Sequence, residues 1–353
     1  MAHIIRQTTV TRDGMHNAFT DLQYWQGNYW VAYRKGAGHV SMDGEAVVAV
    51  SADRKRFREV AHLKMPGDCR DPKLLPLDET RMACYFPSWT TGIRAKQLQH
   101  YITFSTNGYD WDTPRPILET GRWLWRVRPH NGRYYGLVQT ITGGDADKGE
   151  PKLELDLVVS DDLLHWEEVA RIGEGCGLCE SDIQFRPDGE AWVIARTVLQ
   201  NSETGSYFAS AKPPYTDWQA TPMHPVVHAP VVLEHAGQLY VAGRYVPGHE
   251  GETTFPFPRH HPFGPQHEGW STAVWRMERA TLEKVLCIPA TGDCSYPGLI
   301  EDPEGRVCLS YYSQHAYHMG IADVPAGVAQ ERYCNQAADI YFTELELTDE
   351  SVG

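Results

Sequence analysis

Residues 180–196, ESDIQFRPDGEAWVIAR, read as two strands around one tight turn. SDIQF alternates polar and apolar residues, Arg186-Pro187-Asp188-Gly189 supplies the turn, and AWVIAR is a mostly apolar return strand. Asp188 and Gly189 both tolerate the positive φ that a two-residue hairpin turn needs. The plan recurs in FTDLQYWQGNYWVAYR (19–34, turning at Gly27), KLLPLDETRMACYF (73–86, near Asp78) and WRVRPHNGRYYGLV (125–138, at Asn131-Gly132). It recurs again in PVVLEHAGQLYVAGR (230–244, at Gly237) and PGLIEDPEGRVCLSYY (297–312, at Glu304-Gly305). Six hairpins, mostly about fifty residues apart, describe a propeller or another repeat array.

Two strands lack a hairpin partner nearby: HIIRQTTVTR (3–12) and ADIYFTELEL (338–347). In a propeller, one terminus commonly completes the blade begun by the other, which closes the ring and removes sheet edges. The expected fold is therefore all-β: one six-bladed β-propeller domain over residues 1–353, closed by its N- and C-terminal strands. The long departure is Val246–Trp270, VPGHEGETTFPFPRHHPFGPQHEGW, whose Pro, Gly and His content forbids a regular strand. It reads as a loop insertion on the fifth blade, either solvated or a lid over the central pocket. Its His249, His260, His261 and His267 have no tidy ligand spacing, and a seventh blade could hide within 246–290.

A chain of 353 residues can bury a large core. No window holds eighteen apolar residues, and MAHIIRQTTVTRDG lacks a signal-peptide core, so a cytoplasmic location is expected. The net charge of −14 argues against nucleic acid or an anionic membrane as partner, while a local arginine cluster could still hold a small anion. Cys176 and Cys179 form a lone CxxC without the second pair a zinc site needs, so neither metal nor cofactor is expected.

EAVVAVSADRKRFREVAHL (45–63), HYITFSTNGYDWDTPRPIL (100–118) and LELDLVVSDDLLHWEEVARI (153–172) share a further design. Each runs an apolar strand into Ser51, Ser105 or Ser160, then a polar turn, then Phe57, Trp111 or Trp166 six positions on. The Ser and Asp side chains bond the turn's own amides while the ring plugs the blade. This resembles the structural Asp-box of sialidases in degenerate form, with a turn glycine only at Gly108. AKPPYTDW (211–218) holds the matching place in the fourth repeat with a different turn.

The order of HNAFTDL (16–22), YRKGAGHVSMDG (33–44), RDPKL (70–74), WLWRV (123–127), CESDIQFRPDG (179–189), SYPGL (295–299) and LSYYSQH (309–315) resembles the exo-sialidase superfamily and sialidase-like bacterial propellers over essentially the whole chain. That resemblance implies glycoside hydrolysis with retention through a tyrosine nucleophile, an activating glutamate, an aspartate acid/base and three arginines on the sugar carboxylate. A tyrosine in place of the usual carboxylate nucleophile avoids charge repulsion with an anionic sugar. By position, Tyr296 matches the nucleophile, Glu180 the activating glutamate, Arg196 the second clamp arginine and Asp43 the acid/base. Arg244 is a loose match for the third arginine, and His16-Asn17 stand where sialidases carry the first.

Inner-strand starts face the central funnel, and here they are rich in polar residues: His16, Asn17, Asp21, Arg70, Asp71, Lys73, Trp125, Arg126, Glu180, Ser181, Asp182, His228 and Tyr296. Buried charge is costly unless paired or used. Plainer roles compete. Asp43 before Gly44 reads equally as a turn cap, Asp71 before Pro72 also as a cap, Arg70 and Asp71 as an ion pair, Tyr296 as a core tyrosine, and Asp21 rather as a backbone partner within its own blade. His16 and His39 read as hydrogen-bonded structural histidines, with His16 kept in play by its place in the funnel. Aromatic residues such as Trp89, Trp123 and Trp125 could stack on sugar faces.

The leading expectation is a sialidase-like retaining exo-glycosidase acting on a small acidic or unusual sugar. Tyr296, Glu180 and Asp43 would do the chemistry, with Arg70, Arg126 and Arg196 holding a carboxylate or hydroxyls. A uronate lyase using His16 or His228 with Tyr296 is the alternative enzyme, and a non-catalytic carbohydrate-binding propeller the alternative of another class.

Overall fold

The computed structural model describes residues 2–90, 98–142, 152–199, 205–245, 270–317 and 336–347. The insertion other than Trp270, its four histidines and Cys334 lie outside them. Six antiparallel sheets form the blades of a propeller. The first holds β2 (His16–Trp25), β3 (Asn28–Gly36), β4 (Glu45–Ser51) and β5 (Arg58–Leu63). The second joins β6 (Asp68–Cys69) and β7 (Lys73–Pro76) to β8 (Met82–Trp89), β9 (Leu98–Ser105) and β10 (Arg115–Ile117). The third comprises β11 (Arg122–His130), β12 (Arg133–Thr142), β13 (Lys152–Ser160) and β14 (Glu167–Ile172). The fourth comprises β15 (Leu178–Phe185), β16 (Ala191–Thr197), β17 (Ser206–Ala211) and β18 (Gln219–Met223). The fifth comprises β19 (Val227–His235), β20 (Gln238–Tyr245), β21 (Ser271–Glu278) and β22 (Thr281–Ile288), so the 271–288 stretch completes this blade and hides no seventh. The last is ordered β23 (Cys294–Glu301), β24 (Val307–Ser313), β25 (Asp339–Glu346) and β1 (His3–Thr11). The first strand of the chain thus pairs antiparallel with the last and closes the ring, as expected. No helix among the described residues is long and apolar enough to cross a membrane.

Apolar side chains pack between neighbouring blades, as Tyr85 and Ile102 of the second do against Leu124 and Val127 of the third. Polar staples join neighbouring blades as well. Asp21 accepts the Leu74 amide of the next blade at 2.9 Å, rather than bonding backbone in its own. Asp182 likewise accepts the Val232 amide at 2.8 Å. His100 is fully buried and accepts the Leu124 amide at 3.3 Å, and burial pushes its pKa down to about 3. It therefore stays neutral in the fold while the unfolded chain takes up a proton below about pH 6.5. Its contribution is whole above pH 6.5 and is lost as pH falls toward 3, at about 1.4 kcal/mol per pH unit. The unfolding free energy in urea is expected to drop between pH 7 and pH 5, with a shallower slope in His100→Asn. Equal slopes would refute the assignment.

The turns from β4 to β5, β9 to β10 and β13 to β14 repeat one geometry. Ser51, Ser105 and Ser160 each accept the amide three residues on, at 2.9, 2.8 and 2.9 Å. The residue there has positive φ: Arg54 at 62°, Gly108 at 76° and Leu163 at 66°. The fourth turn differs less than its sequence suggests, because Tyr215 takes φ 66° and its carbonyl accepts Trp218 Nε1 at 2.8 Å, as Leu163 O accepts Trp166 at 3.1 Å.

Every innermost strand is interrupted at one level. Register shifts fall at Ala18/Asp21, Leu124/Val127, Cys179/Ser181, His228/Val231 and Ser295/Gly298, and Arg70–Pro72 separate β6 from β7. Phe19, Asp71, Ala229 and Tyr296 have positive φ there (58°, 47°, 46° and 45°), and the last three each precede a proline. Bulges of this kind re-aim side chains and free backbone groups beside sites. Just past the last of them, Gly298 presses on β2, where an added Cβ would lie 2.2 Å from the Leu22 nitrogen. Gly298→Ala is expected to cost about 3 kcal/mol in urea unfolding, since backbone cannot step aside. A cost under about 1 kcal/mol would contradict this close approach.

Candidate active site

The bulges open onto a cavity of about 530 Å³ at the head of the inner strands. Its polar wall is His39, Arg70, Asp71, Glu180, Arg196 and Tyr296. Its apolar lining is Trp89, Trp123, Trp125, Ile141, Leu153 and Val198. Trp123 and Trp125 stack in parallel at 5.0 Å between ring centroids.

At the centre, the Tyr296 hydroxyl donates to Glu180 Oε1 at 2.5 Å. Arg196 Nη1 donates to the same oxygen at 2.5 Å, and the Ala229 amide, freed by its bulge, donates to Oε2 at 2.9 Å. Three donors on one carboxylate fix its position. Burial, followed by the charge of Glu180, raises the Tyr296 pKa well above that of an ordinary phenol. The hydroxyl therefore keeps its proton at neutral pH and can become a nucleophile only by handing it to a base, and Glu180 is the group in contact. The Arg244 guanidinium lies 4.7 Å from the centroid of the same ring.

Arg70 is held by Asp71 through Nε at 3.2 Å and by Asp68 through Nη1 at 3.5 Å, with its guanidinium against Phe19 and Trp89. Asp71 Oδ1 is buried without a hydrogen-bond partner, and burial raises its pKa despite the adjacent Arg70. Arg70, Asp71, Trp125, Glu180, Arg196 and Tyr296 thus line one cavity.

The other expected residues do not line this cavity. Asp43 is exposed on the loop between β3 and β4, where its carboxylate accepts the Ala37 amide at 3.1 Å and the Ser41 hydroxyl, which is the capping role. His16 is fully buried with Nε2 on Asp293 Oδ2 at 3.1 Å. Arg126 lies deeper, donating to Asp21 Oδ1 at 2.8 Å and Pro297 O at 2.7 Å. Arg244 is 3% exposed and donates to Cys294 O, Asp293 Oδ1 and the Tyr312 hydroxyl at 2.9, 3.1 and 2.9 Å. His228 is 3% exposed, with its ring 6.2 Å from that of Trp270. The reading missed Asp293, which stands before an inner strand and was open to the same rule as the others. His39 reads from sequence, like His16, as a hydrogen-bonded structural histidine, since no local signal separates it from the rest of GAGHV, yet it lines the cavity.

No protein-family model and no curated protein matches the chain. Among solved structures it is similar to a protein of unknown function from Dyadobacter fermentans, at 18% identity and TM-score 0.72 over 98% of this chain and 99% of that one. It is also similar to the phage phi92 endosialidase, at 9% identity and TM-score 0.67 over 99% of this chain and 70% of that one. This chain has the sialidase-like propeller fold. A Trypanosoma rangeli sialidase solved with sialic acid adds to the likeness, at 10% identity and TM-score 0.60 over 96% of this chain and 55% of that one. At such identities the shared property of these sialidase-like propellers is the fold, and chemistry must be argued from the cavity itself.

Proposed function

We propose that this sialidase-like propeller is a retaining exo-glycosidase acting on a small acidic or unusual sugar. The observation that carries the reading is the 2.5 Å bond from the Tyr296 hydroxyl to Glu180 within a 530 Å³ cavity. In this reading Glu180 takes the phenolic proton as Tyr296 Oη attacks the anomeric carbon, forming a covalent glycosyl-tyrosine that water later cleaves. Arg70 and Arg196 hold a carboxylate or hydroxyls, and the tryptophan wall stacks on an apolar sugar face or aglycone. With Arg126 and Arg244 committed to internal partners, the clamp has two arginines rather than three. This favours a sugar less anion-dependent than sialic acid.

The lyase alternative has less support, because its proposed bases, His16 and His228, are buried and line no part of the cavity. The test is a screen against aryl glycosides of acidic and neutral sugars and against uronate oligosaccharides, following aglycone release and the absorbance of unsaturated product. Aglycone release lost in both Tyr296→Phe and Glu180→Gln is the expected result. Unsaturated product would sink the hydrolase reading, and sugar binding without turnover would leave the non-catalytic binding protein.

A further inference from the structure

We propose that His39, seated on the buried carboxylate of Asp293, protonates the leaving group and then activates water, the role that sequence position gave to Asp43. The inference rests on the glycosidase reading above and supplies the proton donor which that reading leaves open.

His39 and Asp43 share the loop between β3 and β4, but only His39 reaches the cavity wall. Its side chain is 24% exposed, and Nδ1 contacts Asp293 Oδ2. Asp293 is locked from every side. Oδ2 also meets His16 Nε2 at 3.1 Å, while Oδ1 accepts the Tyr312 hydroxyl at 2.7 Å and Arg244 Nη2 at 3.1 Å. Its own amide donates to Gln314 Oε1 at 2.8 Å. The neighbouring histidines hold this carboxyl well below the usual carboxylate range, so an anion stands fixed behind His39. A fixed carboxylate at Nδ1 orients the ring and leaves Nε2 for the cavity. The rings of His39 and Tyr296 both line the cavity and both abut Phe19, at 5.4 and 5.0 Å, so one buried ring lies against acid and nucleophile alike.

Two other assignments of the cluster are weaker. One ligand atom each of His16, His39 and Asp293 lies within 4.8 Å of the others, a set that could hold a transition metal. A ligating histidine, however, donates its second N–H to a partner, whereas His16 Nδ1 is buried without one. Arg244 also places a cation on the same carboxylate. A neutral His16 donating from Nε2 to Asp293 satisfies the geometry without an ion. Asp71 is another carboxyl on the wall, but Arg70 occupies its Oδ2 and its Oδ1 is buried away from the cavity space.

Tyr296 Oη bonds the anomeric carbon and Glu180 takes its proton. The glycosidic C–O bond breaks, and the oxygen leaves with the Nε2 proton of the His39 imidazolium. Water then attacks the anomeric carbon, giving a proton to neutral His39, while Tyr296 departs and recovers its proton from Glu180.

The test uses the full chain and 2,4-dinitrophenyl, 4-nitrophenyl and methyl glycosides of whichever sugar the wild type hydrolyses. For His39→Gln, kcat/KM is expected to fall at least about 10²-fold on the methyl glycoside and far less on the dinitrophenyl one, which needs no acid. Added formate or azide should restore part of the loss. Equal loss on all three, or the graded loss in Asp71→Asn instead, overturns the proposal, as does stoichiometric metal in the wild type that His39→Gln abolishes. If no sugar is hydrolysed the glycosidase reading fails first. Proton NMR then judges the dyad alone: a far-downfield imidazole N–H, missing in His39→Gln, supports it, and absence of that signal from the wild type overturns it.

Discussion

Replacing Tyr296 by phenylalanine is expected to lower kcat at least about 10³-fold on any sugar the wild type hydrolyses, and Glu180→Gln to lower it about 10²- to 10⁴-fold. The phenylalanine ring keeps the contacts with Phe19 at 5.0 Å and Trp125 at 6.4 Å and keeps the Arg244 cation 4.7 Å from its centroid. Only the hydroxyl that meets Glu180 is removed, so the loss should appear in kcat with KM little changed. Glutamine can still accept the Ala229 amide but cannot take the phenolic proton. Because the pair acts as one unit, Tyr296→Phe/Glu180→Gln should be no slower than the slower single variant. Steady-state kinetics of the four proteins checks this. Losses that multiply, or a Tyr296→Phe protein retaining half its activity, would remove Tyr296 from the reaction.

The fold was legible because turn chemistry and alternation are local: Asp188-Gly189, Asn131-Gly132 and Gly237 each mark a hairpin that the propeller contains. The central pair was legible only through motif order, since nothing local to Glu180 or Tyr296 places them 2.5 Å apart across 116 residues. The bulges are also written in the sequence. Pro72, Pro230 and Pro297 interrupt apolar strands, and proline within a strand marks a bulge or an unpaired edge. Arg126 and Arg244 misled because a sequence does not disclose whether a charge faces substrate or a partner such as Asp21 or Asp293. Asp43 misled for a related reason. Its loop does reach the cavity, but a residue before glycine is as well suited to capping, and three positions decide which side chain points inward.

Asp293→Ala is expected to cost about 3–5 kcal/mol of stability, the usual result of removing one partner from a buried ion pair. Arg244, 3% exposed, would keep its charge with only Cys294 O and the Tyr312 hydroxyl as acceptors, while His16, His39 and Tyr312 would each lose theirs. Asp293→Asn retains one acceptor and should cost less, though its amide must face the Nε2 and Nδ1 edges of the two histidines. The pH dependence follows from the sign of the shift. The folded pKa of Asp293 lies well below the usual carboxylate range, so its stabilisation is complete above about pH 4 and fades only as pH falls toward the folded value. The gap between wild type and Asp293→Ala in urea unfolding should therefore persist from pH 8 to about pH 4 and narrow below it. A gap under about 1 kcal/mol at pH 7 would mean that the network is not fully formed in solution. His39 would then lack a fixed anion at Nδ1, whereas a large gap makes the same carboxylate both the anchor of the sixth blade against the first and the fixed partner of His39.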